Sequence, residues 1–346
     1  MKDFIPENDL IEFFSHDGKE FLDARRHTGK LAVAPGKEIY YELYWADRIF
    51  PDTALPENTA ENIFSCRQDT GTNRCPGALI LCHGYTETCT KYHELIYYFL
   101  RRGYHVLTYD HRGHGRSFRE VENPHKIHVK DFDAEYVGDL HLLVCHVALR
   151  AFLSLPLFLY GHSMGGCIAA RYMQLHPGVF SRCILSSPMF GIKTGGIPNI
   201  LALALARFMK LIGRGRCYTL GQHDFYGDEI FEESATTSRV RFDRYNNLRL
   251  ATPEFMLGGG DYYWLYTALH AAARAVSKKE TKKIKAPLLL FEAENDTYVP
   301  RRRIAAFRKN LPFVQYHAWR GTKHEIYNSK DRVLKAYYRE IFRFLA

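Results

Sequence analysis

A serine flanked by glycines, Gly161-His162-Ser163-Met164-Gly165, lies between an apolar run, Leu155 to Tyr160, and a run that opens on small residues and continues with helical spacing, Gly166 to Met173. G-x-S-x-G between a strand and a helix makes a sharp turn that lifts the serine oxygen clear of the backbone. Glycine on either side avoids a clash with the neighbouring strand and helix. The chemistry on offer is nucleophilic attack by a hydroxyl. A serine hydroxyl is weak at its own pKa and needs a general base within hydrogen-bond reach. The base needs an acid to hold its tautomer and to stabilise the imidazolium that forms.

At a strand–turn–helix site the chain order is serine, acid, histidine. That order removes every histidine before Ser163. His176 ends the helix after the turn, His223 and His270 fall where strands and helices no longer alternate, and His317 sits within a strand. His324, in Arg320-Gly321-Thr322-Lys323-His324-Glu325, lies on the loop after the last strand. Parallel sheets place their sites at such strand ends, so His324 is the expected base. For the acid, the strand Pro287 to Phe291 runs into a loop that carries Glu292, Glu294 and Asp296. Position alone leaves Glu294 and Asp296 both open. A tetrahedral intermediate needs two backbone N–H donors. One is expected from Met164, after the nucleophile. The other is expected from Tyr85, in the loop His83-Gly84-Tyr85-Thr86-Glu87-Thr88 after the strand Ala78 to Cys82.

The elements that must position these residues alternate from Ala78 onward. Strands are expected at Ala78–Cys82, His105–Tyr109, 155–160, Cys183–Ser187, Pro287–Phe291 and Val314–Trp319. Helices are expected near 91–102, 133–153, 166–176, 301–310 and 331–344. Such alternation implies a mostly parallel sheet flanked by helices on both faces; with the serine on a strand–turn–helix bend it resembles the α/β-hydrolase fold. Before it, Ile11 to Arg25 reads as a hairpin turning at Asp17-Gly18, and Glu38 to Trp45 as a strand. Residues 46–77 read as a polar surface insertion within a first core part, 1–187. Residues 188–285 break the alternation and read as an inserted, mainly helical cap, with Gly258-Gly259-Gly260 and the aromatics Tyr262, Tyr263, Trp264 and Tyr266. Residues 286–346 return to the core.

Composition narrows the class. The chain has 346 residues, 46% of them hydrophobic and 25% charged, as in ordinary globular proteins. No run reaches the ~18 apolar residues of a membrane span, and the first residues carry no apolar signal region. The eight cysteines form no C-x-x-C pair, so reduced thiols, a cytoplasmic setting, and neither zinc nor disulfides are expected. No cofactor is expected. The net charge of +9 meets no nucleic-acid module among the motifs. From Lys193 to Arg216 there is no acidic residue, and Ile200 to Ala206 is apolar throughout, followed by Arg207, Lys210, Arg214 and Arg216. Such a segment either roofs an acyl pocket or lies on an anionic membrane, at the inner face of the membrane for a cytoplasmic protein.

The set of motifs resembles the monoglyceride-lipase-like serine hydrolases, and within them most the bacterial lysophospholipases of the L-two type. It comprises His83-Gly84-Tyr85, Asp110-His111-Arg112-Gly113-His114-Gly115-Arg116-Ser117, Gly161 to Gly166, the Asp296 loop and the His324 loop, in that order. Lys91 to Leu95, Glu122 to Phe132, Ser187 to Ile192, Ser238 to Phe242 and Gly259 to Trp264 extend it, over roughly 78–346. The resemblance implies Ser163 as nucleophile, Asp296 rather than Glu294 as acid, His324 as base, and Tyr85 and Met164 as oxyanion donors. It implies a fatty acyl ester substrate, a lysophospholipid foremost, with monoacylglycerol or a general carboxylic ester as alternatives. A silent member used for binding is the reading from another class.

Overall fold

The computed structural model describes residues 4–47, 75–227, 229–311 and 313–346. Most of the polar insertion expected at 46–77 therefore lies outside the described residues. Eight strands form one sheet in the order β1-β2-β4-β3-β5-β6-β7-β8. They are β1 (Arg26–Ala34), β2 (Lys37–Tyr44), β3 (Ala78–Cys82), β4 (His105–Tyr109), β5 (Leu157–His162), β6 (Arg182–Ser186), β7 (Leu288–Ala293) and β8 (Gln315–Trp319). β1 pairs with β2, and β2 with β4, antiparallel; from β4 to β8 every pairing is parallel.

Strands β3, β4, β5 and β7 are buried along their whole length. Parallel strands covered on both faces read as continuous apolar runs rather than as alternation. Here Ala78-Leu79-Ile80-Leu81-Cys82 alternates its side chains between two cores. Ile80 and Cys82 join Leu140, Ile168 and Ala268 on one face. Leu79 and Leu81 join Leu95, Tyr98, Tyr337 and Ile341 on the other.

The N-terminal segment departs from the sequence expectation. Residues Leu10–Ser15 and Asp17–Asp23 are two short helices, α1 and α2, and not a hairpin. The Asp17-Gly18 pair gives a turn signal, but tertiary packing overrides it. Phe13, Phe14 and Phe21 all set their rings edge-on against Tyr97, with centroids 5.1 to 6.1 Å apart. The hairpin lies further on, where β1 turns into β2 through Pro35-Gly36.

The remaining helices are α3 (His93–Leu100), α4 (132–151), α5 (Ser163–Leu175), α6 (Asn199–Leu211), α7 (Arg239–Ala251), α8 (Tyr262–Ala275), α9 (Lys278–Thr281), α10 (Arg301–Lys309) and α11 (Asp331–Leu345). In α4, Phe132–Val137 and Val144–Ala148 are wound as π-helix. Helices α6 to α9 all fall between β6 and β7. The glycine run in that segment lets its backbone reach the core: Ile127 N–H donates to Gly259 O at 2.9 Å and Gly258 N–H to His125 O at 2.9 Å. Among the described residues, no helix is long and apolar enough to cross a membrane.

Candidate active site

Ser163 is the first residue of α5 and follows directly on β5. Its φ of +51° is the left-handed value that the sharp turn demands. Such a conformation in a non-glycine residue is strained and persists only where the surroundings fix it. The flanking glycines supply that fixation. A Cβ on Gly165 would lie 2.2 Å from Cys82 O, and one on Gly161 would lie 2.4 Å from Gly165 O. The backbones of β3, β5 and α5 therefore meet at a distance only glycine allows. Ser163 is half-buried and opens on a cavity of about 940 Å³.

His324 lines the same cavity. It sits on the loop after β8 and is buried. Its Nδ1 lies 2.7 Å from Asp296 Oδ2, on the loop after β7. The other carboxylate oxygen of Asp296 accepts the backbone N–H groups of Tyr298 at 2.8 Å and Val299 at 2.9 Å. Burial alone would raise the Asp296 pKa. The facing His324 and the three hydrogen bonds outweigh it and hold the carboxyl below the usual carboxylate range. Of the two acids that position left open, Glu294 turns elsewhere: its Oε2 accepts Gly321 N–H at 2.8 Å.

Tyr85 lines the same cavity as Ser163, and Met164 follows the serine in the chain. Met164 is the second residue of α5 and fully buried. Tyr85 follows β3, and its ring stacks on Trp264 of α8 with centroids 4.2 Å apart. The Tyr85 side chain is thus committed to the segment between β6 and β7, while Gly84 and Tyr85 line the cavity beside Ser163.

The Asp110 to Ser117 stretch braces the neighbouring loops. Asp110 accepts Cys89 N–H at 2.8 Å and Arg116 N–H at 2.9 Å. His111 Nε2 and His114 Nδ1 bond to the carbonyls of His83 and Arg112, both at 3.0 Å. Among the described residues no three His, Cys, Asp or Glu side chains are grouped to hold a metal ion.

The cavity has two kinds of wall. Residues 189–205, the loop after β7 and helix α8 contribute Met189, Ile192, Ile197, Leu205, Leu265 and Val299. The loop after β3, helix α7 and the loop after β8 contribute Glu87, Lys91, Asn246, Arg249, Glu325 and Asn328. Four charged residues of this second wall have no role in the sequence reading: Glu87, Lys91, Arg249 and Glu325. Lys91 Nζ bridges two of them, at 2.8 Å to Glu87 Oε1 and 2.6 Å to Glu325 Oε1.

With this geometry in view, the family comparison is decisive. A family model described as serine aminopeptidase, S33 matches residues 74–331. The chain belongs to that family. The S33 match spans β3 through the His324 loop, so every residue of the site lies within it. Among curated relatives, the chain is 30% identical over 268 residues to a probable lysophospholipase L2 of Haemophilus influenzae, covering 77% of this chain and 83% of that one. It is 27% identical over 263 residues to a monoacylglycerol lipase of Mycolicibacterium smegmatis, covering 75% and 84%. Among solved structures, a soluble variant of the Saccharomyces cerevisiae monoglyceride lipase aligns with a TM-score of 0.66 at 18% identity, covering 92% of this chain and 95% of that one. That likeness establishes the α/β-hydrolase fold, with its mostly parallel sheet flanked by helices.

Proposed function

We propose that this protein is a serine hydrolase that cleaves a fatty acyl ester, with a lysophospholipid as its foremost substrate. Ser163 attacks the acyl carbonyl, and His324 takes the serine proton and returns it to the leaving alcohol. Asp296 keeps the imidazole in the tautomer that presents Nε2 to the serine. The N–H groups of Tyr85 and Met164 receive the developing oxyanion. Water then releases the acyl group from Ser163.

The observation that carries this reading is the His324–Asp296 contact at the edge of a cavity that also opens on Ser163. The two-sided lining favours an amphiphilic ester. The apolar side chains Met189, Ile192, Ile197, Leu205 and Val299 suit an acyl chain, and Asn246, whose buried Oδ1 has no hydrogen-bond partner among the described residues, suits a polar alcohol. Lysophospholipid stands above monoacylglycerol because the relative named lysophospholipase L2 is 30% identical and the monoacylglycerol lipase 27%. The names of the relatives in both classes agree with an ester of this kind.

Residues 188–285 act as the cap over this cavity, and we assign a membrane contact to helix α6 and its surroundings. Helix α6 buries only Ala202 and Ala206. Ile200 is 75% exposed and Leu211 76% exposed, and Phe208 and Leu220 are also exposed. Arg207, Arg214 and Arg216 stand exposed around them. Leu205, on the inner side of the same helix, lines the cavity. One helix thereby roofs the acyl wall and presents apolar and basic side chains outward, as an interfacial helix on anionic lipid does.

The test is a panel of esters sharing one acyl chain, lysophospholipids, the monoacylglycerol and a simple alkyl ester, with an aminoacyl amide assayed beside them. The expected order places a lysophospholipid first in kcat/KM. Monoacylglycerol favoured about tenfold over every lysophospholipid would transfer the assignment to a monoacylglycerol lipase. No hydrolysis of any member by folded protein would leave the binding reading.

A further inference from the structure

The catalytic reading above concerns groups that touch substrate. One buried carboxylate behind them touches none of the reacting atoms and ties the segment after β3 to the His324 loop, beside His162 of the nucleophile turn. We infer that Glu87 is a positioning residue that sets the oxyanion donor of Tyr85 and the orientation of His324 at once. This inference rests on the serine-hydrolase reading.

Glu87 is 5% exposed and uses both oxygens fully. Oε2 accepts Gly84 N–H at 2.6 Å and Tyr92 O–H at 2.6 Å. Oε1 accepts Lys91 Nζ at 2.8 Å and Tyr327 O–H at 2.9 Å. A carboxylate has about four lone-pair sites, and here each has a donor. Burial would raise the Glu87 pKa. Lys91 and the hydrogen bonds reverse that and keep it far below the usual carboxylate range. Lys91 is likewise held charged by Glu325 and Glu87 against its burial.

The donors come from two segments: Gly84, Lys91 and Tyr92 follow β3, and Tyr327 belongs to the His324 loop. Gly84 N–H immediately precedes Tyr85, so the Glu87 side chain closes the turn that aims the Tyr85 N–H. Within that turn Thr86 has φ +56°, a strained value that needs an external hold. Tyr327 and Glu325 belong to the His324 loop. Tyr327 stacks on Tyr92 with centroids 4.6 Å apart, and Asn328 Nδ2 holds the second oxygen of Glu325 at 3.0 Å. His162, the residue before the nucleophile, places its Nε2 4.0 Å from Glu87 Oε1. Burial pushes the His162 imidazole down to about 3, and it stays neutral between Glu87 and His324. Its ring centroid lies 4.8 Å from those of both His324 and Tyr327.

A hydrogen bond to an ionised acceptor is roughly twice as strong as a neutral one, and a fully satisfied buried network is rigid. Preorganised donors stabilise a transition state because they need not move as charge develops. Removing the charge of Glu87 while keeping its shape should therefore loosen the oxyanion donor without touching the ground-state complex.

The experiment compares wild type with Glu87→Gln and Tyr327→Phe, each rate divided by the concentration of sites titrated with a fluorophosphonate. Glu87→Gln offers one acceptor oxygen to donors on both sides, and should lower kcat by about 10- to 100-fold, below the loss for deleting an oxyanion donor outright. KM should stay within about twofold. Affinity for a trifluoromethyl ketone that mimics the tetrahedral state should fall in proportion to kcat/KM. Affinity for a non-hydrolysable ether lysolipid should be unchanged. Tyr327→Phe keeps the ring on Tyr92 and removes one donor, and should lose turnover several-fold in the same pattern. Wild-type turnover per titrated site in both variants would overturn the inference, as would an equal loss of affinity for the ketone and the ether. Should Glu87→Gln not fold, Tyr327→Phe decides by the same readouts. Failure of the wild type to take the label at Ser163 would instead refute the serine-hydrolase reading.

Discussion

His324 Nδ1 stands 2.7 Å from Asp296 Oδ2, while the other oxygen of Asp296 is fixed by the N–H groups of Tyr298 and Val299. The backbone thus sets the carboxylate and the carboxylate sets the imidazole. Among the described residues Nε2 of His324 then carries no hydrogen bond, and in the proposed mechanism it is the atom that faces the serine.

The first prediction separates the two acids of that loop. Asp296→Asn should preserve the fold, since an amide oxygen can still accept from Tyr298 and Val299. It should cost on the order of 10⁴-fold in kcat, because the amide favours the wrong imidazole tautomer. Glu294→Gln should cost less than about threefold, as the Glu294 carboxylate accepts the exposed Gly321 N–H and, among the described residues, makes no contact with His324. Steady-state kinetics on one ester checks both, and reversed effects would move the acid to Glu294.

The second concerns acid stability. His83 and His162 are each driven down to about 3, first by burial, and burial also drives His111 and His114 well below the usual imidazole range. A lowered histidine pKa means the unfolded chain takes the proton first. Stability is therefore full above about pH 6.5 and declines as pH falls toward the folded-state values. Taken alone, such a group contributes a slope of at most about 1.4 kcal/mol per pH unit below about pH 6.5, but His83, His111 and His114 shift one another and their slopes do not simply add. The denaturation midpoint should therefore fall steadily as pH drops from about 6.5 to 5. Chemical denaturation at intervals from pH 8 to 5 checks this, and a constant midpoint over that range would contradict it.

The third concerns the membrane face. Arg207, Arg214 and Arg216 changed together to Gln should weaken binding to anionic vesicles, by about 1 kcal/mol per charge. Salt should weaken wild-type binding in the same direction. Lys210 should matter less, because its Nζ lies 3.9 Å from the Tyr266 ring centroid, tucked against the protein. Vesicle co-sedimentation at low salt measures it, and equal binding by mutant and wild type would remove this face as the contact.

The site's arrangement could be read in part because its strongest signals are local. The Gly161 to Gly165 turn and the apolar run before it fix Ser163 on a strand end within a few residues. Chain order then left few histidines, and His324 was the one on a strand-end loop. Glu294 and Asp296 share such a loop, and only the direction of each side chain distinguishes them. The N-terminal helices were misread because Asp17-Gly18 is a strong local turn signal. The aromatic packing on Tyr97 that defeats it comes from distant sequence. The same holds in part for Glu87, Lys91 and Glu325. A charged residue reads as surface until its partners are known, and Glu87 finds Tyr327, and Lys91 finds Glu325, on a loop more than 230 residues further along the chain.

The most direct measurement is covalent labelling of the intact protein with a fluorophosphonate, followed by intact mass and peptide mapping. The account predicts one adduct per chain, located on Ser163, with esterase activity lost in step with labelling. Ser163→Ala should take no label and lose several orders of magnitude in turnover. An adduct on another residue, or near-wild-type turnover in Ser163→Ala, would contradict it.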